Sequence, residues 1–193
     1  MGAITRLQAV NRMLSGSSEA IVLVEQSGQG DYANCSSILD AVTLEVSIKG
    51  YEFNTRVTQW SPDANGNILI PGNVLRVRTT DPNCGIFEAD GRLYDKVKNT
   101  DVFTVPVEVE YVTLPTFENL PTPIQIEVRE RATRRYQKSY VGSQQSDQML
   151  REDEAVALGV SEAAQSESEN YNMLDDNPDM QWLRRRTFTN GTL

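Results

Sequence analysis

Five cations crowd a ten-residue stretch, "RERATRRYQK": Arg129, Arg131, Arg134, Arg135 and Lys138. Guanidinium forks and ammonium groups suit two kinds of anion, phosphate and carboxylate. With Tyr136 and Tyr140 interleaved, the stretch has the dress of a nucleic-acid binder. A few residues on, Glu152, Asp153 and Glu154 supply the other chemistry, a row of carboxylates. The charge balance decides which to expect. The chain carries −9 overall; residues 122–142 hold five basic and two acidic side chains, and 143–176 hold one basic and nine acidic. A protein that wraps DNA needs a net basic domain, because phosphate neutralisation supplies most of that affinity. The arginine-rich stretch is therefore expected to meet carboxylates, within one chain or between neighbouring copies.

Other chemistries have less to draw on. There is no histidine, which removes Ser-His-Asp, Cys-His and His-metal arrangements together. Two distant cysteines, Cys35 and Cys84, make neither a disulfide framework nor a four-ligand zinc site. "DANGN" (63–67) has oxygen ligands but lacks the downstream bidentate Glu of a calcium loop, and it reads as a turn. No Gly-x-x-x-x-Gly-Lys-Ser/Thr phosphate loop occurs. Acid pairs at glycosidase-like separation arise by chance among 27 carboxylates and are no evidence of hydrolysis. No catalytic residue, cofactor or metal is expected. The alternatives kept open are a carbohydrate hydrolase and a nucleic-acid binder using the Arg-rich helix.

The elements that must position these charges read as follows. Ala3, Leu7, Val10 and Leu14 form one helical face in "AITRLQAVNRML", and Cys35, Leu39, Val42 and Val46 form another between Ala33 and Lys49, with Gly50 as a C′ residue. "EAIVLVEQ" (19–26) fits a strand or a buried loop. Tyr51 to Val112 is rich in Val, Ile, Thr and aromatics, punctuated by turn residues at 62–66, 71–72, 81–83 and 89–91. "EFNTRVTQW", "NILI", "VLRVRTT", "RLYDK" and "FTVPVEVEYV" are expected strands of a small antiparallel sheet. In the last, Val105, Val107, Val109 and Tyr111 share one face and Glu108 and Glu110 the other; Pro106 suits an edge strand or a strand start.

The basic stretch lies on a helix that begins at Thr122-Pro123-Ile124-Gln125, expected as a capping box with Thr122 at N-cap. Ile124, Val128, Ala132, Tyr136 and Tyr140 make its apolar stripe, and Gly142 ends it. A polar hinge, 143–146, leads to a helix carrying Met149, Val156, Val160 and Ala163 on one side and running to about Asn170. The short connection implies an antiparallel pair. The last stretch, "NPDMQWLRRRTFTNGTL", offers Trp182, Arg184, Arg185 and Arg186 as a docking arm that orders on a partner, set against a frayed terminus. No apolar run approaches the ~20 residues of a membrane helix. Met1–Arg6 lacks a secretory pattern, so a soluble, cytosolically made protein without a membrane anchor is expected.

Three clusters, in order, resemble a known family: "ILDAVTLEVSIKGYEFNT" (38–55); "IPGNVLRV" (70–77) with "GRLYDK" (91–96); and "LPTFENLPTPIQIEVRERATRRYQKSYVGS" followed by an acidic helix and "NYNMLDDN" (170–177). "LQAVNRMLSGSSEA" also fits that family's first helix. The chain is similar to the tail tubular protein A family of short-tailed bacteriophages (podoviruses), head-to-tail adaptors or gatekeepers beneath the portal. The resemblance implies a virion protein made in the bacterial cytoplasm. It also implies a homo-oligomeric ring, typically of twelve copies, between the portal protein and the nozzle protein, tail tubular protein B. DNA would be non-specific cargo passing through. The fold class expected is α+β, an antiparallel bundle of about four helices with an inserted small antiparallel, barrel-like β element. The expected division is 1–50 (first helices), 51–116 (β-rich insertion), 117–176 (helix pair completing the bundle) and 177–193 (docking arm).

Overall fold

The structure, a computed structural model, describes residues 3–25, 30–81 and 85–168. Among these residues two helices precede and two follow a β-rich insertion: α1 (Arg6–Gly16), α2 (Gly30–Ser47), β1 (Thr55–Trp60), β2 (Val74–Thr79), β3 (Ile86–Ala89), β4 (Arg92–Asp95), β5 (Val107–Thr113), α3 (Thr122–Tyr140) and α4 (Gln144–Ser168). The class is α+β, as the hydrophobic periods imply. Ala9, Val10, Met13 and Leu14 of α1 pack with Cys35, Leu39, Val42 and Val46 of α2 and Ile124, Val128, Ala132 and Tyr136 of α3 in one apolar core.

Two buried amides join this core to its surroundings. Asn54 accepts from the Tyr51 amide at 2.9 Å and donates to the carbonyls of Ser47 and Thr113, each at 2.9 Å. It thereby ties the end of α2 to the end of the sheet. Gly50, at φ 78°, turns the chain there, and a Cβ would meet the Arg76 guanidinium at 2.7 Å and Val112 Cγ2 at 3.0 Å, so the junction needs glycine. Gln125 accepts from the Ile4 amide at 2.9 Å and donates to the carbonyl of Phe117 at 2.9 Å. The expected capping box at Thr122 is therefore replaced. Pro121 occupies the N-cap with no side-chain bond, while the Gln125 side chain is turned inward to hold the N-terminus. A true capping box lies at α1, where Thr5 and Gln8 exchange side-chain bonds.

The sheets are smaller than the sequence pattern implies. β5 is central in a three-stranded antiparallel sheet of order β1-β5-β2, and β3-β4 is a separate hairpin. Asp90 and Gly91, both at positive φ, supply the tight turn of that hairpin. β3 was not among the expected strands. "NILI" contributes only an isolated bridge, Leu69 to Arg92, and 52–54 form a 3-10 turn rather than strand. Val107, Val109 and Tyr111 do share the face that packs on Ile68, Leu93 and Phe103. Val105 lies before the strand and is exposed.

The larger difference concerns α4. Met149, Val156 and Val160, expected to face the bundle, are exposed, and the buried row is Leu150, Ala157 and Ser161. Only two apolar side chains of that row are buried, so the helix is seated by something other than a hydrophobic stripe. Segment 19–25 is a loop, not a strand; Asn11 holds it by exchanging two 2.9 Å bonds with the Val22 backbone.

Candidate assembly surface

An α-helix turns about 100° per residue, so α3 carries three rows at once. Ile124, Val128, Ala132 and Tyr136 point into the apolar core. A second row, Glu127, Glu130 and Gln137, is also buried. The third, Arg131, Arg135 and Lys138, lines the outer surface.

The second row meets α4 and α1 through charge. Glu127 has no exposed side-chain surface; Ser161 Oγ donates to it at 2.6 Å, and the Lys49 ammonium lies at 3.4 Å. Glu130 accepts from the guanidinium of Arg12 at 3.0 Å and of Arg129 at 2.6 Å. Arg12 also reaches Asp153 at 2.8 Å, so one α1 side chain bridges α3 and α4. Arg134 holds Asp147 at 2.7 Å and Glu154 at 2.9 Å, and Arg131 reaches Glu154 at 3.2 Å. Bonding to these two carboxylates raises the Arg134 pKa, and the same contact holds the Asp147 carboxyl below its ordinary range. On the other flank Arg135 forms a fork with Glu45 of α2 at 2.6 and 2.7 Å, which lowers the Glu45 pKa.

The pairs Arg134–Asp147, Arg131–Glu154 and Glu127–Ser161 run in opposite directions along the two helices, which is the antiparallel pairing expected from the short hinge. The carboxylate chemistry expected of the basic helix is thus realised inside one chain. Of the five cations, four are ion-paired here; Lys138 joins no ion pair among the described residues, nor does exposed Glu152. The outer row floors a cleft of about 320 Å³ whose walls are Glu45 of α2 and Glu154 of α4. A second pocket, about 220 Å³, is apolar and lined by Tyr51, Phe53, Pro121, Pro123, Ile124 and Ala164. Of the two hydroxyls in its lining, Ser161 already donates to Glu127 and Tyr51 accepts from the Lys49 ammonium at 3.3 Å. No group of three or more Cys, Asp or Glu that could hold a metal ion occurs among the described residues.

The order of these elements, from α1 through the arginine-bearing α3 to α4, coincides with one known family. The tail tubular protein profile matches residues 7–171. The chain belongs to the tail tubular protein family. It is also 28% identical over 115 residues to tail tubular protein A of Klebsiella phage KP34, a match covering 60% of this chain and 62% of that protein. The chain therefore aligns with less than two thirds of that relative's length. Membership makes this tail tubular protein a structural component of a phage tail. The matched span ends close after α4. Trp182, Arg184, Arg185 and Arg186 lie outside both that span and the described residues; Cys84 lies within the span but outside the described residues.

Sequence reasoning missed Glu127 and Glu130 as buried groups, because a charged residue on a basic helix is by default a solvated one. A signal was present. Glu127, Glu130, Arg134 and Gln137 recur at spacings of three and four, a second complete row beside the apolar one.

Proposed function

We propose that the chain is a head-to-tail adaptor, forming a ring of about twelve copies between portal and tail nozzle that continues the channel for DNA ejection. The observation that carries this reading is the family match over all four helices and the insertion, joined to a basic helix already neutralised by its own chain. A conduit must let DNA slide. An acidic surface repels phosphate and keeps cargo moving, whereas a free row of arginines would hold it. In this reading 177–193 is the arm that latches onto the portal or a neighbour, and the insertion 51–116 is a separate contact module.

Negative-stain images of the purified chain, alone and mixed with portal rings of the same phage, test the proposal. Rings stacked on portal are expected. Failure to bind portal, or salt-sensitive binding of the isolated chain to duplex DNA at micromolar concentration, would count against it in favour of a nucleic-acid binder. Removing 177–193 is expected to weaken portal binding; full affinity without it would exclude the arm as the latch.

A further inference from the structure

Two helices carry apolar lines that face solvent. On α4, Met149, Val156, Val160 and Ala163 follow one another at spacings of seven, four and three, about a third of a turn around the helix from buried Leu150, Ala157 and Ser161. On α2, Ala41, Leu44 and Ile48 are exposed at spacings of three and four, beside Glu45. Spacings of three and four are those at which one helix seats side chains between those of another. A surface patch of this kind, rimmed by polar residues, marks an interaction site.

The flanking charges choose the partner. The α4 line is bordered by exposed Glu152, Asp153 and Glu167. Packing it on the same line of a second copy would set these acids against themselves, which is costly. The α2 line, in contrast, borders the cleft holding Arg131, Arg135 and Lys138, the last without an ion-pair partner among the described residues. The cleft has α3 as its floor and α2 and α4 as opposite walls, so the two lines lie on different flanks of one molecule. The four cations of the cleft, Arg131, Arg134, Arg135 and Lys138, outnumber its two acids, Glu45 and Glu154, so an acid-rimmed line and a line beside a net basic cleft are complementary without overlapping, the requirement for heterologous, repeating contacts.

We propose that the α4 line of one copy packs on the α2 line of the next, with Glu152 and Glu167 turned toward the neighbour's Lys138. The occupant is a second copy of this chain. The inference rests on the multi-copy reading above and names the surfaces through which copies meet.

The test uses two full-length double variants, Leu44→Asp/Ile48→Asp and Val156→Asp/Val160→Asp. All four positions are exposed, so both variants should retain the wild-type circular dichroism and melting temperature. Each is expected to raise the self-dissociation constant more than roughly tenfold by sedimentation, since each places two charges in an apolar contact. Mixed one to one, they retain one intact α4 line and one intact α2 line, and should form a heterodimer that grows no further. In parallel, an Ile48→Cys/Val156→Cys chain in purified tails, treated with a short bismaleimide, should give a ladder beyond dimer. Wild-type assembly by both variants, a mixture that stays monomeric, or intact tails without a ladder would each overturn the contact. The adaptor reading is judged separately by portal binding: a chain that binds portal in rings but gives no ladder keeps that reading and loses this contact.

Discussion

On one face of α3, Ile124, Val128, Ala132 and Tyr136 meet α1 and α2 in an apolar core. On the adjacent face, Glu127, Glu130, Arg131 and Arg134 meet α4 and Arg12 through carboxylates, guanidinium groups and one serine hydroxyl. One helix thus supports two kinds of adhesion. Apolar burial is nondirectional, insensitive to salt and roughly proportional to area. Ion pairs must recover the cost of desolvating both partners, and partly exposed ones contribute little each and are screened. What they supply instead is register, because each fork accepts one carboxylate in one orientation. The three-helix core carries the stability, and the seam places α4.

The contrast is broken most directly in the core. Leu39→Ala, at a fully buried α2 position, is expected to cost ~2–5 kcal/mol in urea unfolding. Leu150→Ala on α4 should cost distinctly less, and equal losses would mean that the seam is an apolar interface after all. Next in size is Glu127→Ala, which removes the buried acceptor facing Ser161, Lys49 and Arg131 and leaves the Ser161 hydroxyl only the Leu158 carbonyl; it should cost about 1–3 kcal/mol. Glu127→Gln keeps an acceptor for Ser161 and should fall between it and wild type on the same unfolding curve.

Arg134→Ala acts more locally. Exchange of α4 amides should accelerate by roughly tenfold, and the difference from wild type should shrink in molar salt. Cys35 serves as the control. It is buried in the core, and burial pushes its thiol pKa up to about 12, so it should resist alkylation at pH 8 in the variant as in wild type, measured in a Cys84→Ser background. Rapid Cys35 labelling in Arg134→Ala would show that seam and core open as one unit.

The smallest effect is that of pH. Asp147 has a lowered folded-state pKa because Arg134 donates to it. Its contribution is therefore fully present above the ordinary carboxylate pKa of about 4 and is lost as pH falls through the lower folded value. Followed by NMR on acidification below about pH 4, amides around Asp147 should shift before those of Leu39 and Val42. Simultaneous change would again merge the two regions.

The core faces of α1, α2 and α3 are legible in their middles because apolar residues recur there at helical spacing; at the ends Ala3 and Tyr140 are exposed, and in α1 Ala9 and Met13 join Val10 and Leu14 in the core. The antiparallel α3–α4 pair is equally legible from its short hinge. The face α4 turns inward was not, since its most apolar line, Met149 to Ala163, is the solvent side. A charge-seated helix inverts the rule that the apolar face is the buried one. Gln125 shows the same limit at smaller scale: read locally it closes a capping box, yet its amide serves Ile4 and Phe117, the former 121 residues away in sequence.

The sequence by itself determined the α+β class, the family, and the segregation of cations onto α3 and carboxylates onto the helix after it, all properties of composition and local period. Only the tertiary structure decided that those charges close on each other within one chain, leaving Lys138 and the outer lines of α2 and α4 facing solvent. The reason is that an arginine's partner is set by which carboxylate lies within about 3 Å of its fork, a distance that no local pattern specifies.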